Sequence, residues 1–324
     1  MRILDLFCGC GGFALGFLLA DPKFKISLAI DNDFRTMRTY TANIDIARIL
    51  TKDIQNIHSY EILEQMNPYT PDIIIASPPC ESFSAANVNR KKTSYDQLYS
   101  DEKGRLILDT IRLIIDLEPS IFIIENVSQL RSTEMQEFIR HEFSRSSYES
   151  IFFNSLEALN CGVPSYRQRV FISNLLFNFS NKNVVKTTGE AFKSLPAPSI
   201  DIHNHLVIPI PSNMVKKIPR TPPGGAMVYF RGSQTRTFRN YIRLQVDQPS
   251  PTVMGKSRFI HPFEARLCTV REHARLMSYP DNFQFYGPID SQYNQVGESV
   301  PPLMARVVAQ QILTDFPKNS KKVF

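Results

Sequence analysis

The chain has 324 residues, of which 43% are hydrophobic and 21% charged, and its formal net charge is +6. This composition excludes a disordered chain, and no apolar run approaches the roughly 20 residues of a membrane-spanning helix. The first apolar stretch contains Asp5 and does not resemble a secretory signal. Five cysteines, an odd number, then predict free thiols in a reducing, cytoplasmic location.

The first half of the chain alternates short apolar runs with stretches of helical periodicity. Strands are predicted at 2–7, 25–31, 71–77, 120–127 and 170–177, and helices at 13–20, 34–44 and 103–119. Strands that alternate with helices predict an α/β fold with a doubly wound, mostly parallel sheet. Ligands of such sheets bind beyond the carboxyl ends of the strands.

The pattern changes after about residue 178, where the chain becomes polar and rich in Pro and Gly. Helical periodicity returns at 271–280 and 300–316. We therefore expect a first domain at 1–177, a smaller loop-rich domain at 178–262, and a return segment at 263–324 whose last helix packs back on the first domain.

Positive charge is concentrated between residues 201 and 280, which contain twelve Lys and Arg against four Asp and Glu. Such an excess in one segment is typical of a surface that faces a polyanion such as nucleic acid. An ordinary solvated basic face is the alternative.

A glycine-rich turn, "FCGCGGFA", follows the first predicted strand. Gly9, Gly11 and Gly12 allow a tight turn before a helix whose N-terminus favours negative or polar groups. Asp31 ends the next strand, where a carboxylate can hold ribose hydroxyls. The pattern predicts a nucleoside-containing cofactor, and spacing alone leaves a nicotinamide dinucleotide and S-adenosylmethionine open.

Two further features belong to the same region. Asp53, in "TKDI", is predicted at the end of a third strand, where it suits an exocyclic amine of adenine or is a plain turn residue. Cys8 and Cys10 resemble half of a metal site, but no second Cys pair or nearby His completes four ligands. We therefore expect no metal.

Three other motifs lie where predicted strands end or begin. In "DIIIASPPCESFS", two prolines stiffen the loop before Cys80, which is either a nucleophile or an ordinary buried thiol. Glu125 leaves an apolar strand, where a carboxyl can share a proton, or it is a capping residue. Arg167 and Arg169 are two residues apart, so in a strand their side chains point the same way, and both can bind a carboxylate, a phosphate or a base oxygen, or they are solvated edge arginines.

Taken in order, these motifs resemble the cytosine carbon-5 DNA methyltransferase family of restriction–modification systems. The resemblance rests on "DLFCGCGGF", "AIDND", "KDI", "SPPCESFS", "ENV", "YRQRVFI", "SPTVMGKSRFIHPFEARLCTVREHARLMSYPDNF" and "QVGESVPPLMARVVA". It covers nearly the whole chain apart from about 178–245. It implies a Rossmann-like fold, S-adenosylmethionine as cofactor with S-adenosylhomocysteine as product, and a cytosine flipped out of duplex DNA as substrate. It also implies that 1–177 is catalytic and that 178–262 recognises the target.

The resemblance implies individual roles as well. Cys80 is expected to attack the base from a loop shaped by Pro79, and Glu125 to bond ring nitrogen 3 and the amino group. Arg169, with Arg167 behind it, is expected to orient that carboxylate. The expected cofactor-binding residues are Phe7, Gly9, Gly11, Gly12, Asp31, Asn32, Asp53, Ile54, Pro79, Leu106, Glu298, Ser299 and Val300. The expected DNA-contacting residues are Ser84, Arg231, Gln234, Arg236, Arg239, Arg243 and Thr252.

The main interpretation is a sequence-specific DNA cytosine methyltransferase, a monomer that protects DNA from a cognate restriction endonuclease. The chain opens on the cofactor motif and shows no regulatory extension, which suits a compact prokaryotic enzyme. Asn32 and Glu298 depart from the family, which often has a large aromatic residue and Asn there. A tRNA cytosine methyltransferase and a nicotinamide-dependent oxidoreductase stay open, and a catalytically silent DNA-binding protein is disfavoured because Cys80, Glu125 and Arg169 are all present.

Overall fold

The computed structural model describes residues 1–87, 89–179, 185–210, 212–232 and 237–319. The strands of this part are β1 Arg2–Leu6, β2 Lys25–Asp31, β3 Ile49–Thr51, β4 Ile73–Ala76, β5 Ile121–Val127, β6 Phe152–Glu157, β7 Gln168–Ser173, β8 Ala226–Arg231 and β9 Thr237–Ile242. The α-helices are α1 Gly12–Ala20, α2 Phe34–Asn43, α3 Ser59–Met66, α4 Leu106–Leu117, α5 Thr133–Glu142, α6 Thr188–Phe192, α7 Ser212–Val215, α8 Val270–Leu276, α9 Ile289–Glu298 and α10 Pro302–Asn319.

Seven of these strands form one sheet in the order β3-β2-β1-β4-β5-β7-β6. β1 to β5 pair in parallel, whereas β7 runs antiparallel to both β5 and β6. β4 and β5 are buried at every position and consist mainly of isoleucine, as expected for central strands covered on both faces. The predicted doubly wound, mostly parallel α/β sheet is confirmed.

Both faces of the sheet are covered by helices. Ile3 of β1 belongs to a hydrophobic cluster with residues of α1, α2 and α10, while its neighbour Leu4 belongs to a second cluster with residues of α3, α4 and α5. This split follows from the alternation of side chains along a strand. On the first face, a Cβ added at Gly16 of α1 would lie 2.3 Å from Ala305 Cβ, so glycine permits close packing of α10.

The antiparallel β7 has a functional consequence, because its first residues lie at the edge where the parallel strands end. The strand predicted at 170–177 is in fact Gln168–Ser173. It ends where the Asn174 side chain accepts a hydrogen bond from Phe122 N at 3.1 Å and the chain turns. β6, β8 and β9 were not predicted, since their sequences lack a clean alternation of apolar and polar residues.

The region after β7 contains the β8–β9 hairpin, with Phe230 opposite Phe238. Ile242, Leu244 and Phe259 share a hydrophobic cluster with Phe171 of β7. This region therefore packs onto the same core as the sheet, and the domain boundaries after residues 177 and 262 stay predictions. No helix in the described ranges is long and apolar enough to span a membrane.

Candidate active site

Glu125 lies near the carboxyl end of β5 and is 5% exposed. Ser77 Oγ donates a hydrogen bond to Glu125 Oε2 at 2.7 Å, and Arg169 Nε lies 3.0 Å from Oε1. Within the described residues Oε1 accepts no hydrogen bond of good geometry, although it is buried. The carboxyl is therefore held by a hydroxyl and a guanidinium, and one of its oxygens keeps hydrogen-bonding capacity.

The antiparallel pairing of β5 with β7 places Arg169 beside Glu125. Val127 of β5 is opposite Arg169 in the register, and Glu125 lies two residues before Val127 on the same face. A diagonal pair of this kind is within reach of a long side chain. Arg169 also donates to the carbonyl of Gln168 at 2.8 Å, which fixes the guanidinium further.

The loop that follows β4 presents Cys80 at the same edge of the sheet. Asn126 Nδ2, next to Glu125, donates to the carbonyl of Pro78 at 3.0 Å. The carbonyl of Cys80 accepts hydrogen bonds from Phe83 N at 3.1 Å and Ser84 N at 3.0 Å. We name residues 77–87 the Cys80 loop. It is tied to β5 before the cysteine and folded into a turn after it.

The electrostatic surroundings of Cys80 show which groups face it. Burial raises the pKa of the Cys80 thiol, the charge of Arg169 opposes that rise, and the charge of Glu125 adds to it. The thiol is only half-buried, so a substrate can approach it. A thiol, a carboxyl group and a guanidinium thus converge at the carboxyl end of the central strands.

Arg167 has a different position from Arg169. It is buried, and its guanidinium donates to the carbonyls of Val253, Gly297 and Ser299 at 3.0, 3.1 and 2.8 Å. Burial lowers the pKa of Arg167 to about 9. Of the two arginines only Arg169 contacts the carboxylate, because residue 167 precedes β7 and the alternation of that strand does not extend to it.

The glycine-rich turn lies against the end of β2. Gly9 N donates to Asp31 Oδ2 at 2.8 Å, and Asp33 N donates to Asp31 Oδ1 at 2.9 Å. Phe7 and Gly9 have φ values of 54° and 51°, which turn the chain sharply after β1. A Cβ added at Gly9 would meet no atom within 4 Å, so space is open beside the carboxylate. Burial raises the pKa of Asp31.

Glycine is needed at positions 11 and 12 for structural reasons. Gly11, with φ 93°, is the left-handed residue that precedes α1. A Cβ at Gly12 would lie 2.3 Å from Tyr279 Oη and 2.4 Å from the carbonyl of Val300. Gly12 therefore permits the C-terminal segment to close against the start of α1, and the buried Val300 belongs to that contact.

The remaining predicted cofactor residues differ in exposure. Asp53 is half-buried and accepts a hydrogen bond from Gln55 N at 3.0 Å, while the side chain of Ile54 lies in the core. Burial of Ile54 leaves its backbone as the part that can face a ligand. The side chains of Asn32 and Glu298 are exposed, whereas those of Pro79, Leu106 and Ser299 are half-buried.

The predicted DNA-contacting residues divide into three groups. Arg231 and Arg239 are exposed on the hairpin, and Ser84 is half-buried on the Cys80 loop. Thr252 is half-buried and its hydroxyl donates to the carbonyl of Tyr166. Gln234 and Arg236 lie outside the described residues.

Arg243 corrects the prediction of a DNA-contacting surface. It is 7% exposed, and its guanidinium donates to the carbonyls of Thr221, His261 and Ile218 at 2.7, 2.8 and 2.8 Å. A guanidinium that backbone carbonyls already bind in the interior is not available to DNA. Arg243 joins three loop segments instead.

Two residues of the site were missed from the sequence. Ser77 binds the carboxyl group of Glu125, and Asn126 fixes the backbone of the Cys80 loop. Both lie inside motifs that were quoted, "SPPCESFS" and "ENV", directly beside the residues that were singled out. Polar residues that interrupt two adjacent buried strands were the available signal. Among the described residues, no group of three or more His, Cys, Asp or Glu could hold a metal ion.

Comparison with known proteins agrees with this arrangement. The sequence model described as C-5 cytosine-specific DNA methylase matches residues 1–314. A protein of Methanocaldococcus jannaschii provisionally named type II methyltransferase M.MjaORF1200P is 38% identical, over 96% of this chain and 98% of its own length. Type II methyltransferase M1.HphI of Haemophilus parahaemolyticus is 32% identical, over 97% of this chain and 87% of its own.

Solved structures agree in fold. A provisionally assigned, prophage-encoded DNA modification methyltransferase from E. coli has a TM-score of 0.77 at 21% identity, covering 98% of this chain and 99% of its own. Dnmt2 methyltransferase of S. pombe has a TM-score of 0.67 at 17% identity, covering 98% and 99%. The family match over almost the whole chain, together with the relatives of similar length, shows that this protein belongs to the C-5 cytosine-specific DNA methylase family.

Proposed function

We propose that the protein is a sequence-specific DNA cytosine-5 methyltransferase in which Cys80 is the nucleophile, Glu125 the proton-sharing acid and S-adenosylmethionine the methyl donor. The observation that carries the proposal is the convergence of Cys80, Glu125 and Arg169 at one edge of the sheet. Family membership supports the reaction, and the geometry supports the proposed roles of these residues.

Carbon 5 of cytosine is too weak a nucleophile to take a methyl group directly. The Cys80 thiolate adds to carbon 6, the new C–S bond forms, and the electrons of the ring double bond move to carbon 5. Carbon 5 then bonds to the electrophilic methyl group that S-adenosylmethionine would supply when bound, the sulfur–methyl bond breaks, and S-adenosylhomocysteine is left as the product. A base then takes the proton from carbon 5, the double bond is restored and the C–S bond breaks, which frees the thiolate.

Glu125 acts at ring nitrogen 3 of the base. Negative charge develops on the ring as sulfur adds, and a proton held between the carboxyl and nitrogen 3 stabilises that charge. Ser77 and Arg169 hold the carboxyl from two sides, so little reorganisation is needed when the base arrives. Glu125 Oε1 lies 3.0 Å from Arg169 Nε but accepts no hydrogen bond of good geometry within the described residues, which leaves it able to bond the base and supports this role.

The glycine-rich turn fits the cofactor. No atom lies within 4 Å of a Cβ added at Gly9, so the space beside it is open. Hydrogen bonds from the backbone N–H groups of Gly9 and Asp33 hold the Asp31 carboxylate at the end of β2. A carboxylate in this position suits the two hydroxyls of a ribose. Asp53, Leu106 and the segment 298–300 are proposed to complete the pocket.

The DNA surface is proposed to lie between the Cys80 loop and the β8–β9 hairpin. Exposed cations of this face, Arg231, Arg239 and Lys256, suit phosphates and base edges. The names of the relatives point to a type II modification enzyme. We therefore propose a monomeric cytoplasmic enzyme whose methylation protects DNA from a cognate endonuclease.

A tRNA cytosine methyltransferase is the second candidate, because the same chemistry serves RNA. The description of the matching family, a DNA methylase, favours DNA. The test offers unmethylated duplex DNA and tRNA to the enzyme with methyl-labelled S-adenosylmethionine, then maps 5-methylcytosine by sequencing. Label in DNA at one recurring sequence supports the proposal and gives the target. Label only in tRNA, or in neither, contradicts it.

Replacing Cys80 tests the nucleophile. Cys80→Ser is expected to abolish methyl transfer and keep DNA binding, since a hydroxyl is far less nucleophilic than a thiolate. Wild type is expected to form a covalent adduct with DNA that contains 5-fluorocytosine, because fluorine cannot leave as the proton does. Cys161→Ser, at another half-buried free thiol, is the matched control. An adduct that survives Cys80→Ala would refute the assignment.

Target recognition by 178–262 needs its own test. Exchanging 178–255 for the corresponding segment of a type II relative is expected to move methylation to the relative's site while the chemistry is kept. A chimera that methylates the original site would place target recognition elsewhere.

A further inference from the structure

Gly232, which directly follows β8, brings the β8–β9 hairpin close to the Cys80 loop. A Cβ added at Gly232 would lie 2.5 Å from the carbonyl oxygen of Ala85 and 2.4 Å from Cε2 of Phe238. Contacts below 3.0 Å do not occur at real Cβ atoms, and one of these two neighbours is backbone. Glycine is therefore required here by the close approach of two chain segments.

Ala85 is mechanically joined to Cys80. The carbonyl of Cys80 accepts hydrogen bonds from Phe83 N and Ser84 N, and Ser84 Oγ accepts one from Ala86 N at 3.3 Å. Phe83, between them, is fully buried. A turn bonded in this way moves as one piece, so a displacement at Ala85 is transmitted to the thiol.

On the hairpin, the ring of Phe238 is held in place by stacking. The rings of Phe230 and Phe238 stack across the two strands with centroids 5.7 Å apart. Phe238 is thus fixed by its cross-strand neighbour and forms the second wall against Gly232. Gly232 is therefore closely packed between this ring and the backbone of the Cys80 loop.

We propose that Gly232 is a positioning residue for methyl transfer, through which the placement of the hairpin sets the position of the Cys80 loop. The inference rests on the proposed function, because it assigns the hairpin to DNA and Cys80 to the reaction. Its consequence is that the surface that holds DNA and the loop that carries the nucleophile are coupled by direct contact.

The test compares Gly232→Ala with Gly225→Ala in the full-length protein. The three atoms nearest to an alanine Cβ at 225, just before β8, would all belong to Pro222, at 3.0 Å, whereas those at 232 include the backbone of the Cys80 loop, so Gly225→Ala perturbs the same hairpin at a different contact. The substrate is a duplex that contains the target site mapped for wild type. Gly232→Ala is expected to lower the single-turnover methylation rate about 10- to 100-fold, since a misplacement of about 1 Å can cost that much. The dissociation constant for DNA should change less than about threefold.

Hydrogen exchange of the protein without DNA gives a second readout that does not depend on activity. Gly232→Ala is expected to speed exchange of the amides of residues 80–87 relative to Gly225→Ala. Phe238→Leu, which shrinks the ring that forms the second wall, is expected to do the same and serves if Gly232→Ala does not fold.

Three outcomes overturn the inference. They are equal rates in both glycine variants, a loss of DNA affinity as large as the loss of rate, and exchange changes confined to 226–242. Wild type that methylates no DNA would instead refute the proposed function, and the exchange experiment would still decide whether the contact sets the loop.

Discussion

Arginines at the sheet edge and arginines in the segment 201–280 serve different purposes. Arg169 pairs with one carboxylate in a site for chemistry. In 201–280, four arginines are buried and bind backbone carbonyls or acidic side chains, namely Arg243, Arg258, Arg266 and Arg271. Among the residues of this segment that the structure describes, the exposed cations are Lys216, Lys217, Arg220, Arg231, Arg239 and Lys256.

The comparison teaches that the net charge of a segment overstates the charge of its surface. Burying a charge is costly unless it is paired and hydrogen-bonded, so the buried arginines here are satisfied by several acceptors each. The buried arginines stabilise the loop-rich region, and the exposed cations are available to bind a polyanion. The predictions below test whether buried and exposed arginines have these different roles.

The largest expected effect is at the sheet edge. Glu125→Gln keeps the shape of the side chain but loses the titratable group, so turnover is expected to fall about 10²-fold or more. Affinity for S-adenosylmethionine, measured by calorimetry, should hardly change. A comparable loss of cofactor binding would show that Glu125 is structural. Ser77→Ala, which removes one hydrogen-bond donor to the carboxyl group, is expected to reduce turnover less than Glu125→Gln does.

The second effect separates two arginines that are four residues apart. Arg243→Ala leaves buried carbonyls without donors, and the free energy of unfolding is expected to fall by about 2–4 kcal/mol. Arg239→Ala, at an exposed residue, should change it by less than about 0.5 kcal/mol. Denaturant unfolding measures both. Equal effects would contradict the division between folding and surface arginines.

The third prediction concerns pH and the thiol. Burial raises the pKa of Cys80 above its ordinary value of 9.0, so the thiolate fraction is small at neutral pH and grows as pH rises. Alkylation by iodoacetamide is expected to accelerate by up to about tenfold per pH unit until that pKa is passed. The Cys161→Ser background removes the other half-buried thiol. A midpoint below 9 would contradict the burial effect.

The smallest expected effect is at the exposed hairpin. A phosphate-contacting arginine changed to Ala should weaken binding to all duplexes and lower the salt slope by about one unit. Changing a base-reading arginine to Ala should weaken binding to the target site by about 1–3 kcal/mol and relax the base preference at one position of that site. We expect at least one of Arg231, Arg236 and Arg239 to read a base. Lys23→Ala, at the opposite end of the sheet before β2, is the control and should do neither.

Much of the sheet was predictable because hydrophobic runs and helical periodicity are local. The strand predicted at 25–31 is β2, and the helix predicted at 34–44 ends one residue earlier, at Asn43. The hairpin was missed because its strands are half-exposed and mix aromatic with basic residues, which gives no alternation. Ser77 and Asn126 were missed as individuals because their partners lie 48 residues away.

Most strands of the sheet, the family and the residue types of the site could be predicted from the sequence, since these depend on local patterns and on motifs in a fixed order. The edge strand β6, the choice of the arginine that faces Glu125, the burial of Arg243 and the contact of Gly232 with Ala85 became apparent only in the folded chain. Each of these depends on the register of an antiparallel pair or on the approach of segments distant along the chain. The type of a side chain does not reveal the strand register or the approach of distant segments, because the same guanidinium can bind a carboxylate, a backbone carbonyl or a phosphate.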